Sequence, residues 1–251
     1  MRAPPPRPRS PATLRFRAVV TDVDGTLTDA DRRLDPRAVV WVRRLESHGI
    51  PVVLATGNVL PIALALYRSL GLSGPIVAEN GGLLYRRVGG QDRVERLADR
   101  RVALAAFRAL VAAGVPVRRL FTDRWRESEV ALEPTVGLRR IRRALRGQPV
   151  LVESTGYAIH LIERGAGKLP ALRQALQPLG LTVADCVVLG DGDNDVAMLR
   201  ASGFGVSFAS ASLRARRAAR YVTRSRFASG FVEGLKASGI LLPDGSFSGG
   251  S

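Results

Sequence analysis

The chain has 251 residues, 46% hydrophobic and 24% charged, ordinary proportions for a globular protein of one or two domains. No apolar run is long enough to cross a bilayer, and the one cysteine, Cys186, excludes an internal disulfide, which fits a reducing cytoplasm. The formal charge is +16, but the arginines are scattered among apolar residues with no aromatic-rich basic module, which argues against a nucleic-acid partner; an anionic small molecule or compositional bias explains the charge equally well.

Residues 1–15 begin Met1-Arg2-Ala3-Pro4-Pro5-Pro6 and are too proline-rich for a helix, so a disordered tail is expected there. They also lack the apolar stretch of a secretory leader. A strand follows at Arg17–Asp22 and runs into Asp22-Val23-Asp24-Gly25-Thr26. Asp35-Pro36 opens a helix with an N-cap and a first-turn proline; Ala38, Val42 and Leu45 share one face, and Gly49 stops it. Ile50–Ala55 is continuously apolar, as buried parallel strands are, and ends at Thr56-Gly57-Asn58. A helix at Leu60–Leu70 and a short strand at Ile76–Ala78 lead to Glu79-Asn80-Gly81-Gly82.

The pattern then changes. Strands are expected at Leu83–Val88, Val115–Phe121, Glu127–Leu132 and Tyr157–Ile162, with helices at Asp99–Ala113 and Thr135–Arg146. This order describes an α+β domain, residues 83–161, inserted into a parallel α/β core of residues 16–82 and 162–251. Gly165-Ala166-Gly167 is the return hinge, followed by Lys168 and a helix over Leu169–Leu179. Cys186–Leu189 is a buried strand ending at Gly190-Asp191-Gly192-Asp193-Asn194-Asp195, and a helix continues to Arg200. Phe204–Phe208 and Arg220–Thr223 are the last strands, and the Gly/Ser-rich end, Leu242–Ser251, is expected to be mobile.

Four polar clusters stand where strands or hinges end, and ligands of open α/β sheets bind beyond the carboxyl ends of the strands. Asp22 and Asp24, two apart, share a face if the strand continues. Alone they fit a surface turn or a pair holding a divalent cation. Thr56 with Gly57 suits a phosphate or a plain helix cap. Lys168 is one of only two lysines, the other being Lys236, in a chain whose remaining cations are arginine. It either neutralises phosphate charge or is a solvated surface residue. Asp191 and Asp195, four apart with Asp193 between them, need a cation to coexist. With two histidines and no suitable cysteine setting, the protease-type and zinc-site alternatives have little support.

Taken in order, Asp22-Val23-Asp24-Gly25-Thr26, Ala55-Thr56-Gly57-Asn58, Lys168 and Gly190 to Asp195 resemble the four motifs of the haloacid dehalogenase superfamily. The resemblance runs from about Phe16 to Leu235, and the insertion between the second and third motifs resembles the members with a type-2 cap. Within them, Asp22–Asp29, Thr56–Pro61, Gly74–Gly82 and Tyr221-Val222-Thr223 resemble the archaeal-type phosphoglycolate phosphatases; Gly192-Asp193 departs from the Ser-Glu common in that branch. The resemblance implies a Rossmann-like, doubly wound core with an inserted cap. It also implies a cytoplasmic phosphatase, monomer or homodimer, acting on a small anionic phosphate ester. Asp22 would be the nucleophile and Asp24 the acid and base. Mg²⁺ would be held by Asp22, the Asp24 carbonyl, Asp191 and Asp195, with phosphate charge met by Thr56, Gly57 and Lys168. 2-Phosphoglycolate is the expected substrate, a sugar phosphate the alternative, and a phospho-accepting signalling domain the rival from another class. Arg124 and Arg126 in the insertion are candidates to read the leaving group.

Overall fold

The computed structural model describes residues 16–155, 157–242 and 244–247. The expected tail at residues 1–15 lies outside them. The first half-turn of the fold is β1 (Ala18–Thr21), α1 (Pro36–Ser47), β2 (Val52–Ala55), α2 (Leu60–Leu70) and β3 (Ile76–Ala78). Every residue of these three strands is buried, which is why they read as unbroken apolar runs. Asp35 caps α1 by accepting the Arg37 N–H at 2.8 Å, and Pro36 stands where a helix needs no donor.

β4 (Leu83–Val88) and β5 (Gln91–Arg96) come next, then α3 (Arg100–Ala112), β6 (Val130–Leu132), α4 (Leu138–Ala144), β7 (Val150–Ser154) and β8 (Ile159–Glu163). The chain returns through α5 (Lys168–Leu176), β9 (Cys186–Leu189), α6 (Val196–Ala201), β10 (Phe204–Ser207), α7 (Leu213–Ala218), β11 (Tyr221–Val222) and α8 (Phe231–Ser238).

The large sheet has the order β11-β10-β9-β1-β2-β3-β4-β5. It is parallel from β11 to β3, with β4 and β5 added antiparallel at one edge. From β1 the chain winds outward through β2 and β3; after the excursion it restarts at β9 and winds the other way. The reversal lies between β1 and β9, whose neighbouring carboxyl ends open the crevice that such sheets use for ligands. α1, α2 and α8 gather on one face of the sheet and α5, α6 and α7 on the other.

The smaller sheet, β6-β8-β7, is antiparallel. Val130, Leu132, Val150, Val152, Ile159 and Leu161 pack with α3 and α4 in a second hydrophobic core. The alternate residues Glu129, Ala131, Glu153, His160 and Ile162 lie on the opposite face. This small unit therefore has one apolar side for its own helices and one side carrying charge.

Several boundaries differ from expectation. β4 and β5 extend the large sheet, so the separate small sheet begins after them and not at Leu83. Residues 115–121 form no strand; Arg119 makes one isolated bridge to Leu132, and Pro116 lacks the donor a ladder needs. β5, β7, α7 and α8 are elements the sequence does not signal, and α5 starts on Lys168 itself. Within the end expected to be mobile, residues 244–247 and Leu242 are docked. The Leu242 N–H donates to the Ser246 carbonyl at 2.8 Å, and Phe247 lies 4.3 Å from the His48 ring and 6.4 Å from that of Trp41. Residues 248–251 lie outside the described residues. No helix among the described residues is long and apolar enough to cross a membrane.

Candidate active site

Register brings the clusters to one level. Thr21 is paired with Leu54 on one side and Leu189 on the other, so Asp22, Thr56 and Asp191 all leave the sheet at its carboxyl edge. Gly25 turns the chain away with φ 78°, and a methyl group there would lie 2.2 Å from Asp191 Oδ2. Only glycine permits the first and fourth clusters to approach so closely.

Asp22, Asp191 and Asp195 each offer a carboxylate oxygen within 4.8 Å of the others. Lys168 stands among them, its Nζ donating to Asp22 Oδ1 and to Asp195 Oδ1, each at 2.7 Å. Asp195 is fixed further by the Asp191 and Gly192 amides, which donate to its Oδ2 at 3.1 and 3.0 Å. Asp22 Oδ2 has no hydrogen bond among the described residues and remains available.

The electrostatics follow from burial. Asp22 is 6% exposed, and desolvation raises its pKa well above the usual carboxylate value; Lys168 opposes this, while Asp195 and Asp191 add to it. Asp191 is pushed up to about 7, by burial first and then by Asp195, against the pull of Lys168. Burial alone would discharge Lys168, but Asp195 and Asp22 outweigh it and raise its pKa, so it stays an ammonium. Three close carboxylates with one ammonium leave a negative excess. The donors are hard oxygens, which suit a hard divalent cation, so these residues fit a metal of that kind.

Asp24 is held at the mouth of the crevice. Its Oδ1 accepts from Arg32 Nε at 3.0 Å, and its Oδ2 accepts from Asn58 Nδ2 at 2.7 Å and from the Tyr157 hydroxyl at 3.3 Å. Thr56 is buried, and its hydroxyl accepts the Asn58 N–H at 3.0 Å. It does not cap α2; Val59 occupies that position. A cavity of about 50 Å³ is lined by Asp22, Asp24, Gly57, Asp191 and Asn194 from the core and by Thr155 and Tyr157 from the small unit.

The two leaving-group candidates do not reach this cavity. Arg124 is on the outer surface, its guanidinium 4.3 Å from the Phe121 ring. Arg126 is buried, donating to the Gly57 carbonyl at 3.0 Å and paired with Glu129. Glu129 also contacts His160 Nδ1 at 3.0 Å and accepts from Asn80 Nδ2 at 3.0 Å, and Asn80 Oδ1 accepts from Asn194 Nδ2 at 2.9 Å. Burial raises the Glu129 pKa, but His160 and Arg126 together overcome it and bring it down to about 2. Beside this cluster Glu79 accepts the Ser128 hydroxyl at 2.6 Å. Glu79 and Asn80 both hold positive φ, 48° and 54°. At Gly81, φ is 97° and a methyl group would lie 2.1 Å from the Gly167 carbonyl, next to Lys168.

Arg32, Tyr157, Asn58, Asn80 and Asn194 therefore belong to the site or its support, and the sequence reading did not single them out. Asn58, Asn80 and Asn194 stand inside motifs that the sequence marks. Arg32 and Tyr157 had no signal of their own.

The architecture has counterparts. Residues 19–123 and 134–235 match the family model of the haloacid dehalogenase-like hydrolases. A phosphoglycolate phosphatase of Methanothermobacter thermautotrophicus is 38% identical over 221 residues, covering 88% of this chain and 98% of its own. One of Methanoculleus marisnigri is 37% identical, covering 88% and 96%. Among solved structures, Thermoplasma acidophilum 0175 superposes with a TM-score of 0.78 at 25% identity, covering 88% of this chain and 97% of that one. A sugar phosphatase, BT4131, superposes at 0.72 with 19% identity, covering 90% and 100%, and shares the fold. This chain belongs to the haloacid dehalogenase-like hydrolases.

Proposed function

We propose that this haloacid dehalogenase-like hydrolase is a Mg²⁺-dependent phosphatase of small phosphate monoesters, with 2-phosphoglycolate as its preferred substrate. The observation that carries the reading is the meeting of Asp22, Asp191 and Asp195 around Lys168, with Asp24 at the mouth of the same cavity. The relatives named phosphoglycolate phosphatase, which align over nearly their whole length, support the substrate.

Asp22 attacks the phosphorus, the bond to the leaving oxygen breaks, and that oxygen takes a proton from Asp24. A water then attacks the aspartyl phosphate and gives its proton to Asp24; the bond from Asp22 to phosphorus breaks and phosphate leaves. Lys168 restrains the Asp22 carboxylate through Oδ1 and leaves Oδ2 for attack. Lys168, the Thr56 hydroxyl and the Gly57 turn meet the charge on the phosphoryl oxygens. Asp22, the Asp24 carbonyl, Asp191 and Asp195 would hold Mg²⁺, which, when bound, offsets negative charge on the carboxylates and the phosphoryl group.

The cavity of about 50 Å³ is far below the roughly 300–1,000 Å³ of ordinary ligand pockets. The small unit acts as a cap that withdraws Thr155 and Tyr157 to admit substrate and returns to exclude water. Phosphate release measured with Mg²⁺ across phosphoglycolate, phosphoglycerates and hexose phosphates tests the reading. The highest kcat/KM is expected for phosphoglycolate, and release abolished by a chelator; equal or better turnover of a hexose phosphate would overturn the substrate.

A further inference from the structure

Between β1 and α1 the chain makes a tight loop closed by an antiparallel bridge from Thr28 to Leu34. Asp29 Oδ1 accepts the amides of Asp31 and Arg33, each at 2.9 Å, and the Asp29 N–H donates to the Arg33 carbonyl at 2.9 Å. These bonds fix Arg32 at φ 64°, a left-handed conformation uncommon outside glycine. The loop therefore presents one particular side chain in one particular direction.

That side chain lies just outside the cavity lining, in contact with two residues that form it. Its Nε donates to Asp24 Oδ1 at 3.0 Å, and its Cζ is 4.0 Å from the centroid of the Tyr157 ring. Asp24 comes from the core and Tyr157 from the small unit, and both line the cavity. The Arg32 side chain is still 51% exposed, and neither Nη has a hydrogen-bond partner among the described residues. A guanidinium with Nε anchored and stacked on an aromatic face keeps its remaining donors in a fixed fork, the arrangement that suits a carboxylate. The other cations beside the cavity are committed: Lys168 is buried between Asp22 and Asp195, and Arg126 is buried against Glu129.

We propose that Arg32, stacked on Tyr157, is the specificity-determining residue that binds an anionic group on the leaving alcohol, so that the enzyme favours esters of hydroxy acids over esters of neutral alcohols. This rests on the phosphatase reading above. It assigns to the core loop a task expected of the inserted unit.

The test compares phosphoglycolate with ethyl phosphate, whose leaving alcohol has the same two carbons without the carboxylate, in wild type, Arg32→Ala and Arg32→Lys. For Arg32→Ala the KM for phosphoglycolate rises about 10- to 100-fold, as for loss of a charge-assisted hydrogen bond. The KM for ethyl phosphate rises much less, by no more than the loss of the Arg32 hold on Asp24 that both esters share, and Arg32→Lys recovers part of the difference between them. A KM that rises alike for both esters, or for neither, overturns the assignment, because a merely structural hold on Asp24 moves the two together. If wild type does not hydrolyse phosphoglycolate, the substrate reading falls, and the same ratio on 3-phosphoglycerate against glycerol 3-phosphate decides the role of Arg32. A wild-type enzyme that prefers the neutral member of both pairs overturns it outright.

Discussion

Two clusters of buried charge lie close together in this molecule, and they are built on opposite plans. At the crevice, Asp22, Asp191 and Asp195 share a single ammonium, which does not overcome the desolvation that, with the neighbouring carboxylates adding to it, raises the pKa of Asp22 and Asp191. At the seat of the small unit, Glu129 is enclosed by Arg126, His160 and Asn80, and its pKa falls to about 2. Burial is equally complete at Asp195 and Glu129, so depth does not separate the two. The balance of charge does. A satisfied cluster holds parts together, whereas an unsatisfied one has charge left over for a ligand, the role proposed above for a cation and a phosphoryl group.

The sharpest break in the comparison is neutralising one carboxylate in each cluster. Asp22→Asn lowers turnover of the preferred ester by at least about a thousandfold while the melting temperature holds or rises, because a destabilised anion has gone. Unchanged turnover would remove Asp22 from the mechanism. Glu129→Gln does the reverse. It leaves Arg126 buried without its counter-charge and lowers unfolding stability by about 3–5 kcal/mol in denaturant titration. The sign with pH follows from the depressed pKa. Between the ordinary value of 4.5 and about 2 the unfolded chain binds the proton that folded Glu129 refuses. The stabilisation is therefore full above 4.5 and is lost as pH falls toward 2, and Glu129→Gln flattens that acid limb.

A smaller effect sharpens the other side. Raised carboxylate pKa values at the crevice mean that protons compete with a metal there. The rise in melting temperature given by Mg²⁺ is expected to grow from pH 5 to pH 8, steepest near 7, where Asp191 loses its proton. A pH-independent rise would place the metal elsewhere. The smallest effect is a control outside both clusters. Arg124→Ala, on the outer surface against Phe121, leaves KM for phosphoglycolate within about twofold and stability within about 0.5 kcal/mol.

The crevice was legible because its residues are tied to local signals. Each stands at the end of an apolar run or beside a glycine turn, and a doubly wound sheet gathers such ends at one edge whatever the intervening lengths. The seat of the small unit was not legible. Asn80, Glu129 and His160 are common types whose meaning comes from partners far along the chain, 49 residues apart for Asn80 and Glu129. Arg32 was hidden among many arginines; its loop geometry, not its identity, sets it apart. Val115–Phe121 read as a strand from its valines, but Pro116 breaks the ladder. β7 is hard to read because exposed Leu151 is as apolar as buried Val150 and Val152, so burial alternates where the sequence does not. Leu83–Val88 marks a change of pattern, but the change is an antiparallel edge on the same sheet, where β5 pairs with it unsignalled by the sequence.

The contact between Gly81 and Gly167 has a practical meaning for anyone redesigning this scaffold. Two backbones meet there with no room for a carbon between them, and the residue after Gly167 carries the ammonium at the heart of the crevice. Outer positions such as Arg124 offer wide latitude to a mutational library. At position 81 a single added methyl would act as a wedge, shifting the start of α5 and moving Lys168 out of reach of Asp22.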